Sequence, residues 1–382
     1  MKILQIGKFY PIIGGVEKVM RDLTEGISAR SIRCDMLCAL LPDSEIEQID
    51  KKRARHIGRN LIIELNNNGK IICVPAIKKV KATMLSPAML SYLKRHCKEY
   101  DIIHIHHPDP MAALALRLSG YKGKVILHYH SDILSQKKLL KLYKPLQSWL
   151  LKRADKIVGT TPVYIKESPF LKNYQQKCTY VPIGIEPVVY SEEEAEKIRN
   201  KFGNKKIILS IGRLVPYKGY EYLIEAAKHL TDEYYLVIGG GGPLKDELQA
   251  KIEQLGLENK VTLAGYIDYK DLPAYFGACH IFVLSSVMKT EAFGIVQIEA
   301  MSCSKPIVAT KIEGSGVSWV NKEGESGLNV PPMIAESLTN AIFAVDKEYD
   351  KYSVGAKERF NSVFTYSQMI DNILKIYENK TL

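Results

Sequence analysis

Several things are missing from this sequence, and each absence removes a class of function. No Asp-x-Asp pair occurs anywhere, so a common way of holding a divalent ion on a diphosphate is lacking. The seven cysteines, Cys34, Cys38, Cys73, Cys97, Cys178, Cys279 and Cys303, contain no Cys-x-x-Cys pair. An odd, unpatterned set reads as reduced thiols in a cytosol-like compartment and excludes zinc-finger spacing. No run approaches the roughly 18 apolar residues of a membrane span, and the opening Met1-Lys2-Ile3-Leu4-Gln5-Ile6-Gly7 is interrupted too soon for a signal-peptide core. A soluble chain is expected. No helix-turn-helix, zinc module or Lys/Arg-Gly-Phe-type strand is present to read nucleic acid. Internal repeats and low-complexity tracts are also absent.

What is present points to two domains. A chain of 382 residues with 46% hydrophobic content exceeds the roughly 250–300 residues at which one core splits. The net charge of +11 is uneven: Lys+Arg minus Asp+Glu gives +15 for residues 1–190 and −4 for 191–382. Basic clusters recur at Lys51-Lys52-Arg53 with Arg55 and Arg59, at Lys78-Lys79 with Lys81, at Lys94-Arg95 with Lys98, and between Lys137 and Arg153. In the last of these, Leu139, Tyr143, Leu146 and Leu150 follow helical spacing, with Lys137, Lys141, Lys144 and Lys152 largely opposite. Such a helix either lies on an anionic membrane or turns its apolar stripe into the core. Four clusters in one half favour an anionic surface more than one helix does.

Strands and helices alternate, which predicts parallel sheets covered on both faces. Strands are expected at 2–7, 71–74, 101–106, 125–130, 156–159 and 178–181, with a helix over 16–29. Pro182–Pro187 and the acidic run Ser191–Glu196 read as a linker. A second cycle follows, with strands at 205–212, 234–239, 261–263, 281–284 and 306–309 and helices over 219–229, 244–255 and 272–279. The expected fold is α/β: two Rossmann-like domains, their parallel sheets facing a central cleft, with ligands at the carboxyl ends of the strands. The domains are placed at 1–186 and 187–362, and 363–382 carries an amphipathic helix at Tyr366–Tyr377.

Four motifs carry chemistry. Glu291 and Glu299 stand eight positions apart on a turn that opens a helix near Phe293 or Gly294. That helix start offers free N–H groups and the positive end of a dipole to an anion. Alternatively, Glu291 only caps the helix and Glu299 lies on its solvated face. Arg213 and Lys218, five residues apart on a strand-to-helix loop, can clamp a diphosphate without a metal. Read otherwise, they are two exposed loop cations. Gly14-Gly15 opens a helix after the first strand, and Gly239–Gly242 forms a second loop suited to close backbone approach. Neither has the Gly-x-Gly-x-x-Gly spacing of a dinucleotide site, which disfavours nicotinamide or flavin. The histidines His104, His106, His107, His128 and His130 fall on two strands. With no carboxylate or cysteine at ligand spacing, they read as lining residues whose neutral rings can hydrogen-bond sugar hydroxyls.

Together, Gly14-Gly15, Arg213…Lys218 and Glu291-x7-Glu299 resemble glycosyltransferase family 4, retaining enzymes of the GT-B fold that use nucleotide sugars. The resemblance spans the chain and is strongest from about Lys206 to Pro331. It implies that Arg213 and Lys218 bind the donor diphosphate with the N–H groups of Gly294, Ile295 and Val296, and that Glu299 binds the ribose. By the same resemblance Glu291 sits at the donor sugar, His130 lies near the transferred sugar, Ile267 contacts the nucleobase through its backbone, and Gly14 and Gly15 close on the phosphates. It implies no cofactor and no metal. Retention in the family is explained by same-face attack, with the departing phosphate oxygen taking the acceptor proton.

The segment Gly314–Val320 and the overall pattern look most similar to bacterial mannosyltransferases of O-antigen or capsule assembly, which implies GDP-mannose as donor. UDP-galactose, UDP-glucose or a UDP-N-acetylhexosamine are the alternatives. The basic first half fits a lipid-linked oligosaccharide acceptor at the anionic inner leaflet, and hence a cytoplasmic protein peripheral to the inner membrane. A nucleotide-sugar epimerase of the same architecture, or a non-catalytic sugar-binding module, would share parts of this pattern.

Overall fold

The computed structural model describes residues 1–12, 14–41, 44–80, 83–133 and 137–379, with the side chains of 137–142 set aside. Ile13 and Lys81, and the side chains of Lys137, Leu139 and Lys141, therefore lie outside the described residues. The chain forms two compact units, Met1–Ile183 with Tyr366–Leu382, and Gly184–Thr365. The sequence pattern places these divisions at 186/187 and 362/363; the structure places them at 183/184 and 365/366.

The first unit contains β1 (Lys2–Tyr10), β2 (Arg33–Leu40), β3 (Ala54–Ile57), β4 (Asn60–Asn66), β5 (Gly69–Pro75), β6 (Lys78–Val80), β7 (Thr83–Leu85), β8 (Ile102–His107), β9 (Lys124–Tyr129), β10 (Lys156–Gly159) and β11 (Cys178–Tyr180). Nine of these strands make one sheet in the order β11-β10-β9-β8-β1-β2-β5-β4-β3. The interior strands β1 and β8 are buried almost throughout, as in a parallel sheet covered on both faces. Here one expectation fails. β4 runs antiparallel to both of its neighbours, β3 and β5. The tight turn through Gly58, at φ +62°, joins β3 to β4 directly, leaving no room for a crossover helix.

Other helices of this unit start where a proline takes the first turn and the preceding side chain caps it. Ser86, Asp109 and Thr161 each accept a backbone N–H in this way, opening Pro87–His96, Pro110–Ser119 and Pro162–Glu167. The helix Tyr366–Tyr377 buries Met369, Ile370, Ile373, Ile376 and Tyr377 within the first unit. Each such apolar side chain contributes about 1.5–3 kcal/mol. In the basic helix Lys137–Arg153, Tyr143 and Leu150 are buried while Lys144 and Lys152 are exposed. The described part of its apolar stripe is therefore core.

The second unit contains β12 (Lys206–Ile211), β13 (Tyr234–Gly239), β14 (Val261–Gly265), β15 (Cys279–Leu284), β16 (Ile307–Thr310) and β17 (Gly327–Val330). They form a wholly parallel sheet in the order β14-β13-β12-β15-β16-β17. Its core gathers Ile208, Leu236, Ile238, Ile281 and Val283 beneath helices carrying Leu223, Ile224, Leu338 and Ile342. The acidic run expected as linker is instead part of a helix, Glu192–Lys201, capped by Ser191. Three glutamates in its first turn complement the helix dipole. Among the described residues no helix is long and apolar enough to cross a membrane.

Both sheets reverse their winding at one point, between β1 and β8 in the first unit and between β12 and β15 in the second. Open α/β sheets bind ligands at that crevice.

Candidate active site

The loops that follow β12 and β15 meet at the second unit's switch point. The first carries Arg213 and Lys218, the second Glu291. Their attachment is mutual: Val287 N–H donates to the Tyr217 carbonyl at 2.8 Å, and the Ser285 hydroxyl donates to the Lys218 carbonyl at 2.9 Å. So fixed, Lys218 Nζ lies 2.6 Å from Glu291 Oε2, and both side chains are largely buried. The Ser286 hydroxyl donates to the same oxygen at 3.0 Å. The structure thus joins two residues that the sequence suggested for separate tasks. Arg213 stands apart, exposed and without an ion pair among the described residues, the one uncompensated cation of this loop.

Gly294 adopts φ +74°, a left-handed conformation that glycine takes without a Cβ penalty. It starts the helix Ile295–Ser302, whose first N–H groups have no partner within the helix. Those of Ile295 and Val296 open at the same switch point as Glu291. Glu299 lies one turn further along, half-buried. Ile267 lines a groove of about 590 Å³ with Tyr190, Tyr266 and Tyr275; Arg213, Lys218 and Glu291 do not line it.

The glycine run after β13 proves to serve the protein's own backbone. A Cβ on Gly240 would fall 1.9 Å from the Gly212 carbonyl oxygen, and one on Gly242 would fall 2.4 Å from that of Leu214. Its close approach therefore seats the Arg213 loop, for which Leu214 N–H bonds the Gly241 carbonyl at 2.9 Å.

In the first unit, Gly14 caps the helix Gly15–Ser28. A Cβ there would meet Glu17 Oε2 at 2.4 Å. The glycine makes room for a carboxylate of the protein itself, and Glu17 is buried to 5% exposure. An arriving phosphate would meet that charge at the same helix end.

The five histidines sit inside the sheet next to the first unit's switch point. β8 pairs with β9 so that His106 lies beside His128, and all five rings are buried. Burial, reinforced by the neighbouring imidazoles, holds His104, His106 and His130 well below the ordinary histidine range. Burial takes His128 to about 3, and burial with the nearby Lys8 does the same to His107. Neutral rings follow at pH 7. His104, His106 and His128 bring one nitrogen each within 4.8 Å of one another. Their rings, however, stack at 11–23°, so their lone pairs lie in separate near-parallel planes. A metal needs lone pairs that converge on one point.

Two residues here escaped the sequence reading. Gln5 is fully buried in β1 and bonds His106 Nε2 at 2.8 Å; a lone amide within the apolar run Ile3–Ile6 is the available signal. Lys8, at φ +57°, donates to the Pro108 carbonyl at 2.7 Å, and no local pattern marks it.

Residues 13–207 match the family described as Glycosyltransferase Family 4, and residues 191–354 match Glycosyl transferases group 1. Over 384 aligned residues the chain is 30% identical to the O-antigen chain mannosyltransferase C of Escherichia coli, covering 99% of this chain and 98% of that protein. The chain belongs to glycosyltransferase family 4. It is a glycosyltransferase, EC 2.4.1.-. This family 4 glycosyltransferase is also 31% identical to D-rhamnosyltransferase WbpZ of Pseudomonas aeruginosa over 293 residues, 75% of this chain and 76% of that one. Among solved structures it resembles Anabaena HepE in complex with UDP, with TM-score 0.79 at 21% identity over 99% of this chain and 100% of that one. That likeness and the two parallel-sheet units identify the fold as GT-B.

Proposed function

We propose that this family 4 glycosyltransferase transfers a hexose with retained configuration onto a lipid-linked saccharide of bacterial surface polysaccharide, and that the hexose is mannose from GDP-mannose. The observation that carries the reading is the convergence of Arg213, the Lys218–Glu291 pair and the helix start at Gly294–Val296 on one switch point. The full-length relative, an O-antigen chain mannosyltransferase, supports the choice of sugar.

In this reading Arg213 and Lys218 hold the donor diphosphate with the N–H groups of Gly294, Ile295 and Val296. Glu299 takes the ribose, Ile267 the base, and Glu291 orients the sugar. Gly14, Gly15 and His130 serve from the first unit. The bond between anomeric carbon and phosphate oxygen breaks, and the nucleoside diphosphate leaves with the electron pair. The acceptor oxygen bonds to the same face of that carbon, and its proton passes to the departing phosphate oxygen. Fixed cations and amide dipoles aimed at that oxygen are worth several kcal/mol. Because Lys218 touches Glu291, the groups assigned to phosphate and sugar are neighbours, as the two ends of the breaking bond require.

The acceptor would be met at the anionic inner leaflet by a cytoplasmic, peripheral protein. Two hairpins of the first unit support this better than the helix Lys137–Arg153. The β3–β4 turn and the β6–β7 hairpin both lie at the carboxyl end of β5. They expose Ile57, Ile77, Val80 and Leu85 together with Arg53, Arg59, Lys78 and Lys79. Apolar tips among cations suit an acidic bilayer, at about 1 kcal/mol per basic residue.

The test is a metal-free panel of GDP-mannose, UDP-galactose, UDP-glucose and UDP-N-acetylhexosamines with a lipid-diphosphate saccharide, read by product mass and anomeric NMR. Retained-configuration transfer from GDP-mannose is expected. Transfer from a UDP-sugar would overturn the donor, inverted product the mechanism, and silence from every donor the reading as a whole.

A further inference from the structure

A continuous set of hydrogen bonds inside the first unit ends on His130. His130 Nε2 is 2.9 Å from His106 Nδ1, and His106 Nε2 is 2.8 Å from Gln5 Oε1. Gln5 Nε2 is 3.0 Å from the Tyr377 hydroxyl and 3.9 Å from Cys34 Sγ. The Tyr377 hydroxyl is 2.5 Å from His104 Nδ1. Each neutral imidazole has one N–H and one lone pair, so the direction of the His130–His106 link fixes that of the His106–Gln5 link and the orientation of the Gln5 amide.

Counting donors selects the direction. Suppose His130 Nε2–H donates to His106. His106 then donates from Nε2 to Gln5 Oε1, both amide hydrogens of Gln5 find acceptors in Tyr377 and Cys34, and Tyr377 donates to His104. Of the enclosed nitrogen and oxygen atoms of these groups only His104 Nε2 lacks a partner among the described residues. In the reverse direction Gln5 must turn its amide over toward His106, where its second hydrogen has no acceptor, and His104 Nε2 is still unpaired. Each direction leaves one unpaired N–H, on His104 Nε2 in the first and on Gln5 in the second, but the second also strands the His104 Nε2 lone pair, so the first leaves one enclosed polar atom unpaired against two. The remaining nitrogen of His130, Nδ1, has no hydrogen-bond partner among the described residues and is not among their enclosed unpartnered atoms, while the residue keeps 6% exposure.

We propose that Gln5 and His106 are positioning residues that hold His130 as its Nε2–H tautomer, so that the atom it presents outward is the Nδ1 lone pair, an acceptor for a sugar hydroxyl. The sugar's part in this rests on the function proposed above; the tautomer does not. A free imidazole exchanges between tautomers. This one is held, and it accepts a hydrogen bond from the sugar without supplying a proton to it.

The experiment is ring-nitrogen NMR on the full chain labelled with 15N-histidine and free of ligand, with His130 assigned by loss of its signals in His130→Gln. The bridging proton should couple directly to His130 Nε2 and, across the hydrogen bond, to His106 Nδ1. A proton bound to His106 Nδ1, or no coupling across the bond, overturns the proposal on wild-type protein alone. His106→Leu should return His130 to a tautomer mixture and lower kcat/KM about tenfold with the best donor of the panel. His106→Asn, which keeps an acceptor near the Nδ1 position, should recover most of that loss and the single tautomer. Equal loss in both variants would make His106 merely structural and refute the positioning role. Transferase silence in wild type, with the coupling present, would indict the function and leave the tautomer standing.

Discussion

In the second unit the candidate groups are charged, with Lys218 paired to Glu291 at 2.6 Å and Arg213 exposed on the same loop as Lys218. In the first they are neutral rings, five buried histidines packed on one another and on Gln5. A buried charge is tolerated only with its partner, whereas a buried imbalance among imidazoles is settled by giving up protons. On the function proposed above, the difference suits one unit to phosphate and the other to hydroxyls. It also gives them different sensitivities to acid, to truncation and to charge.

Acid should separate them most. The five histidines have folded-state pKa values below the unfolded value of about 6.5. The unfolded chain therefore binds more protons, and stability is lost as pH falls from 6.5 toward the folded values. Each ring withdraws up to about 1.4 kcal/mol per pH unit in that window. In the second unit Asp346, whose burial is outweighed by hydrogen bonds from Lys206, His280 and Tyr234, is held at about 2. Its contribution persists until pH drops below about 4. Hydrogen exchange at pH 7 and 5, corrected for intrinsic rates, should show β8 and β9 losing more protection than β12 and β15, where a single histidine, His280, is held below the ordinary range by burial. Equal loss in both would break the contrast.

Truncating the charged pair comes next. Glu291→Gln should reduce kcat by about 10²–10³, a change read by steady-state turnover, and should also lower the thermal midpoint, because the buried Lys218 loses its charged partner. Arg213→Ala should raise the donor KM about tenfold and leave kcat within a few-fold, since an exposed cation binds phosphate in ground and transition states alike. The smallest effect is expected at Glu17. Glu17→Gln removes a carboxylate from beside Gly14, and the donor KM should fall two- to fivefold, more at low salt. A rise in KM would mean that this carboxylate assists binding.

Much of this was legible in the sequence. The β12 and β13 runs, the Gly14-Gly15 helix start and the Arg213, Lys218 and Glu291 loops carry local signals, because alternating elements and turn residues are set by short-range chemistry. The Lys218–Glu291 contact was not legible, for 73 residues separate the two and only the neighbouring of β12 and β15 joins them. The antiparallel β3–β4 pair was missed because its turn, Ile57-Gly58-Arg59-Asn60, lacks an Asn-Gly signal. The acidic run Ser191–Glu196 reads as linker because an acidic tract, considered alone, resembles a solvated one, whereas most of it opens the helix Glu192–Lys201. The glycines after β13 read as a loop for close backbone approach, but no local pattern specifies that what they approach is the backbone of Gly212 and Leu214.

The most direct measurement is a double-mutant cycle on kcat/KM with Lys218→Ala, Glu291→Ala and both together, using the active donor of the panel. The account predicts strong coupling, with the double variant little worse than the poorer single, because each single strands the other's buried charge and both act on one bond. Additive losses would mean that the two residues act independently, and would contradict the single phosphate-and-sugar site placed at the junction of β12 and β15.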